Sequence, residues 1–235
     1  MPKPSNLTLF CFPCAGASAS VYFSWRRNAP QWLRIVPVEL PGRGARLAQP
    51  LLRDFEQVVL QLTDQLLPDF SQPFAFFGHS FGALIAYGVA LELRKRGRIA
   101  PSALIVACCS APSRRDDERL TKLDTDDAIV EELRNLKGTP PELFEHSEML
   151  RITVDVASAD FAACRSFKRG DAPPLDTDIF VYGGADDDVT EESLDAWRLE
   201  SSRRTTVEIF AGGHFFLREH ESLFLANLFE KMRKI

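Results

Sequence analysis

The chain has 235 residues, 28 of them basic and 33 acidic, for a net charge of −5, and 45% are hydrophobic. That is enough apolar content for a sizeable buried core, and the acidic balance offers no general field for nucleic acid. No apolar stretch reaches the roughly 18 residues of a membrane-spanning helix, and no repeat, low-complexity tract or Gly/Ser/Pro-rich linker divides the chain, so one domain over residues 1–235 is expected.

The segment Met1-Pro2-Lys3-Pro4-Ser5-Asn6 leads straight into the apolar run Leu7 to Phe12, which is too short and too early for a signal peptide. Five cysteines (Cys11, Cys14, Cys108, Cys109, Cys164) form no disulfide framework. A reducing, cytoplasmic location is the expectation. Cys11 and Cys14 make a C-x-x-C, but no second such pair or paired histidines complete a metal site, so neither a metal nor a cofactor is expected.

Strands are predicted over Leu7 to Phe12, Arg34 to Glu39, Phe74 to Phe77, Ala103 to Cys108, Asp178 to Tyr182 and Thr206 to Phe210. Helical spacing falls between them. Phe55, Val58, Val59, Leu62 and Leu66 mark a helix over Phe55 to Leu67, and Phe81 to Leu93, Glu191 to Ser201 and Leu223 to Met232 read similarly. Such alternation predicts an α/β fold, a mostly parallel sheet with helices on both faces. The stretch from about 114 to 169 breaks the pattern: it offers helices and no convincing strand, and is predicted to be an inserted helical lid whose apolar residues wall a substrate channel or pack on the core.

Gly78-His79-Ser80-Phe81-Gly82 sits where the Phe-rich strand gives way to a proline-free helix. A serine between glycines at such a junction is the nucleophile-elbow pattern, in which a sharp turn exposes the hydroxyl at the top of a sheet. A serine hydroxyl needs a base to take its proton and an acid to orient that base, and on this kind of fold the order along the chain is Ser, Asp or Glu, then His. His214, in Ala211-Gly212-Gly213-His214-Phe215-Phe216 after the last strand, is the predicted base. His79, His146 and His220 are read as surface or packing residues. For the acid, Gly183-Gly184-Ala185-Asp186-Asp187-Asp188-Val189 offers three consecutive carboxylates. The Gly-x-x-Asp-x-x-Val spacing selects Asp186, while a one-residue shift at Gly184 would select Asp187. The oxyanion donors are expected to be the backbone N–H of Phe81 and one in the turn after the first strand, chosen as Ala15, with Cys14 as the alternative.

Several further motifs accompany these: Phe10-Cys11-Phe12-Pro13 with Ala15-Gly16, Leu40-Pro41-Gly42-Arg43-Gly44 with Arg46, Gly138-Thr139-Pro140, Ala159-Asp160-Phe161, and Gly212-Gly213-His214-Phe215. On these the chain resembles, over nearly its whole length, the stand-alone type II thioesterases of non-ribosomal peptide and polyketide (or siderophore) assembly lines, which have the α/β-hydrolase fold. It departs from them in having Cys14 where His is commoner and Phe81 where Met is commoner. The resemblance implies hydrolysis of acyl groups from the phosphopantetheine arm of an acyl- or peptidyl-carrier protein, with Ser80, Asp186 and His214 catalytic, and a housekeeping or editing role. Because carrier proteins are usually acidic, Arg114-Arg115 is a candidate steering rim. A carboxylesterase acting on small oxygen esters, or a non-catalytic carrier-binding protein, would be the competing readings.

Overall fold

The computed structural model describes residues 7–70, 73–115 and 118–235. Six strands, β1 (Leu7–Phe12), β2 (Leu33–Pro37), β3 (Phe74–His79), β4 (Ala103–Ala107), β5 (Asp178–Gly184) and β6 (Thr205–Phe210), form one sheet in the order β2-β1-β3-β4-β5-β6 with every neighbouring pair parallel. Parallel pairing requires crossover connections, and these supply the helices that cover both faces.

Alternation along each strand divides its side chains between two cores. Phe10, Phe12, Phe74, Phe76, Leu104 and Val106 point to the side covered by α2 (Phe55–Leu66), α3 (Phe81–Lys95) and Trp197. Leu9, Cys11, Phe77, Ile105 and Phe180 point to the other, against Trp25 of α1 (Phe23–Asn28), Phe216 of α8 (Phe216–Glu219) and Phe224 of α9 (Glu221–Met232). This explains why β1, β3 and β4 read as continuous apolar runs: they are buried throughout.

The differences from expectation lie at strand ends. β2 stops at Pro37, which leaves Glu39 free to accept from Ser18 Oγ and Ala19 N–H at 3.0 Å each. β4 stops at Ala107 because Cys108 takes a left-handed φ of 52°. β5 runs two residues past Tyr182, through Gly183 and Gly184, which pair with Ile209 and Phe210. The expected helix from Glu191 divides into α7 (Glu191–Asp195) and a 3-10 turn over Ala196–Glu200.

Between β4 and β5 the described residues are helical: α4 (Glu118–Thr121), α5 (Asp126–Asn135) and α6 (Ser147–Ser166), with short 3-10 turns at Pro112–Arg114 and Pro141–Glu145. Asp116 and Asp117, part of the polar run that opens this segment, lie outside the described residues, as do Met1 to Asn6. The helices share a small apolar cluster, Leu123, Ile129, Leu133, Val154, Ala157 and Phe161. Among the described residues no helix is long and apolar enough to cross a membrane.

Candidate active site

Ser80 stands between β3 and α3 with φ 54° and ψ −120°, a backbone conformation that L-residues hold only under constraint. The constraint is visible on both sides. Ser80 N–H donates to Ala107 O at 2.8 Å, extending the β3–β4 ladder to the serine itself. A Cβ at Gly78 would strike the backbone of Gly82 and Ala83, and one at Gly82 would strike the carbonyls of Phe12 and Pro13. The glycines therefore let α3 start directly against the end of β1. Phe81 N–H is the first amide of α3, without an intrahelical acceptor and at the positive end of the helix dipole.

His214 follows Gly212, whose φ of 101° turns the chain back over the sheet edge. Its Nδ1 lies 3.0 Å from both carboxylate oxygens of Asp187, and both side chains are largely removed from solvent. The expectation that Asp186 would face the histidine is corrected here. Asp186 is exposed, and its backbone N–H donates to Gly212 O at 2.9 Å. The reason is the extra length of β5: because the strand continues through Gly184, the turn begins one residue late and the next carboxylate swings inward. Glycine is needed at 184 because a Cβ there would strike the carbonyls of Gly212 and Gly213, which lets β5 press against the loop that carries His214.

Burial pushes the Asp187 carboxyl up, but the hydrogen bond and charge attraction of His214, with smaller help from the Cys108 thiol and Val189 N–H, outweigh it and hold the group below the usual carboxylate range. Cys108 Sγ, His214 and Asp187 ligand atoms lie within 4.8 Å of one another. Burial, with Asp187 beside it, pushes this thiol well up, so it stays protonated and is a donor toward the carboxylate. Cys11 and Cys14 belong to no such group among the described residues. Cys14 is buried, which raises its thiol to about 11 and leaves it inert as a nucleophile.

Sequence reasoning missed His79. Its side chain points away from the cavity, as strand alternation requires, but that is the side on which the His214 loop crosses. His79 Nε2 lies 2.8 Å from the His214 carbonyl, and the two rings are 5.1 Å apart. Burial, then the neighbouring His214, lowers the His79 value to about 3. The ring is therefore neutral, with its Nε2–H donating to the carbonyl, and it anchors the histidine loop to β3.

Ser80 and His214 border one cavity with two lobes of about 630 Å³ each, and Ala15, Leu136 and Phe161 are common to both. Ser80 Oγ and His214 are not hydrogen-bonded to one another; such pairs are often long until the reacting complex forms. One lobe is charged, with Arg114, Arg115, Arg119, Glu132 and Asp188. The other mixes apolar residues, Leu133, Pro140, Leu143 and Phe215, with Thr139, Thr153, Arg218 and Glu221. Of the expected basic rim, Arg115 is engaged internally: it donates to Cys164 O at 3.1 Å and lies over the Phe167 ring. Arg119 pairs with Glu132 and Asp188. Arg114 is exposed.

A sequence profile described as the thioesterase domain matches residues 7–235. The gramicidin S biosynthesis protein GrsT of Aneurinibacillus migulanus is 33% identical over 98% of this chain and 91% of its own. Among solved structures, the RedJ thioesterase of the prodiginine pathway in Streptomyces coelicolor superposes with a TM-score of 0.89 at 32% identity, covering 96% of this chain and 90% of that one. The type II thioesterase BorB of the borrelidin biosynthetic cluster gives 0.87 at 33% identity, covering 97% and 93%. Sheet order, helical insertion and family profile agree: the chain has the α/β-hydrolase fold and belongs to the thioesterase domain family.

Proposed function

We propose that this thioesterase removes acyl groups from the phosphopantetheine thiol of acyl- or peptidyl-carrier proteins, as an editing or housekeeping enzyme of peptide, polyketide or siderophore synthesis. The observation that carries the reading is a strained serine sharing a two-lobed cavity with a histidine held by a buried carboxylate. The relatives named for gramicidin S, prodiginine and borrelidin biosynthesis support the setting.

In this reading His214 takes the Ser80 proton as Oγ attacks the thioester carbonyl, and Asp187 stabilises the imidazolium. The N–H groups of Phe81 and Ala15 receive the oxyanion. Collapse breaks the C–S bond, and the departing thiolate takes the proton from His214. Water, deprotonated by His214, then attacks the acyl-serine, and the acid leaves as Oγ recovers its proton. Leu133, Pro140 and Leu143 in one lobe offer contacts for the acyl chain, and exposed Arg114 at the edge of the other is placed to meet the carrier surface.

Catalytic efficiency toward an acyl-loaded carrier protein, compared with a small aryl oxygen ester carrying the same acyl group, tests the assignment. The account expects the carrier thioester to be favoured. A preference for the aryl ester would make the protein a carboxylesterase instead.

A further inference from the structure

Arg43 and Asp160, 117 residues apart in the chain, meet as a buried fork-to-fork pair: Nη1 donates to Oδ2 at 2.5 Å and Nη2 to Oδ1 at 2.7 Å. Only 6% of Arg43 and 2% of Asp160 is exposed. Stability is a weak reason for such a pair, because burying two charges offsets most of their attraction, and Arg43 Nε is left buried with no partner. What the pair touches is more telling. Asp160 Oδ2 also accepts from Gly16 N–H at 2.8 Å, and Arg43 Nη1 donates to Ala17 O at 3.3 Å.

These contacts fall on the turn that carries Ala15. The peptide plane containing Ala15 N–H also contains Cys14 C=O, which accepts from Ala17 N–H at 3.1 Å. That bond aims the Ala15 N–H the opposite way. Beyond it the turn passes through Gly16, at φ 76°, and is held on either side of that residue: Asp160 takes the Gly16 N–H of the following peptide, and Arg43 takes the Ala17 C=O two peptides further on. Glu39 secures the far end of the turn at Ser18 and Ala19. Asp160 belongs to α6, so the helical segment between β4 and β5 reaches over the cavity and fixes a backbone amide on its opposite wall.

We propose that Asp160, clamped by Arg43, is a positioning residue for the oxyanion amide of Ala15, so that the hole is complete only while α6 is seated. The proposal rests on the reading of Ser80 and Ala15 given above. It ties the Pro41-Gly42-Arg43-Gly44 and Ala159-Asp160-Phe161 motifs to a single task. Outright removal of one oxyanion donor costs on the order of 10²–10³ in kcat; loosening one should cost about ten- to a hundredfold.

The test uses Asp160→Ala, Asp160→Asn and Arg43→Lys, with thermal melting to confirm folding. Two ligands are titrated: an alkyl trifluoromethyl ketone, which forms a tetrahedral oxyanion on Ser80, and an S-alkyl pantetheine thioether, which mimics only the ground state. The expected result is a fall in kcat and in affinity for the ketone of about ten- to a hundredfold in Asp160→Ala, with KM and thioether affinity within about threefold of the parent. Asp160→Asn keeps one acceptor for Gly16 N–H and should recover part of the loss. Unchanged ketone affinity, or equal losses for both ligands, would overturn the proposal. If the parent enzyme itself binds the ketone no better than Ser80→Ala does, the fault lies with the Ser80-centred reading.

Discussion

The C-terminal rim of the sheet and the helical segment between β4 and β5 face each other across the cavity, but they are built differently. On the rim, backbone bonds at the sheet edge fix each position: Ser80 N–H to Ala107 O, Cys108 N–H to Tyr182 O, Ala185 N–H to Phe210 O. The helical segment has its own six-residue apolar cluster, joins the main core through Ala163, Cys164 and Phe167, and reaches the rim through side-chain ties, Asp160 to Gly16, Arg119 to Asp188 and Arg218 to Gly138 O. Backbone ladders hold reacting groups without cost in side-chain freedom, whereas side-chain ties can be released singly. The reacting serine and histidine loop are thus held by the sheet's backbone, and the facing wall by core packing together with side-chain ties.

The sharpest break on the rim separates two adjacent carboxylates. Asp187→Asn should lower kcat by about 10³–10⁴, since it removes the group that orients and stabilises His214. Asp186→Asn, on an exposed side chain, should change kcat by less than about threefold. Steady-state kinetics on an acyl-pantetheine check both, and a large loss in Asp186→Asn with activity retained in Asp187→Asn would reverse the assignment.

That pair also marks where sequence stops being informative. Ser80 and His214 were legible because glycines flag the turns that carry them, and the strands because β1, β3 and β4 are buried on both faces. The choice between Asp186 and Asp187 was not, since it depends on how far β5 continues beside a loop from another part of the chain. His79 could be read only as facing away from Ser80; nothing local says that the His214 carbonyl waits there. Arg43 and Asp160 were visible as motif residues, but their contact is tertiary and leaves no local spacing.

A second effect concerns rim stability rather than rate. The folded His79 value of about 3 lies below the 6.5 of a free imidazole. The unfolded chain therefore takes up a proton that the folded one resists. This contribution is whole above about pH 6.5 and is lost progressively as pH falls toward 3. Between pH 6.5 and 4.5 it amounts to roughly 2–3 kcal/mol. His79→Gln retains an N–H donor without the titration, so its urea-unfolding stability should fall less than the parent's over that interval. Equal losses in the two proteins would remove His79 from this role.

The smallest expected effect lies on the helical side. Arg114→Glu places a negative charge at the exposed edge of the charged lobe and should raise KM for an acyl-carrier protein several-fold at low salt, with acyl-pantetheine turnover unchanged. Equal effects on both substrates would show that Arg114 does not meet the carrier.

The central claim is that Ser80, oriented by the strained elbow and served by the His214–Asp187 pair, cleaves thioesters. Intact-mass spectrometry of an acyl-loaded carrier protein, before and after incubation with the parent enzyme and with Ser80→Ala, tests it directly. The account predicts conversion to the free phosphopantetheine thiol with the parent and an undiminished acyl mass with Ser80→Ala. Equal release by the two proteins would contradict it.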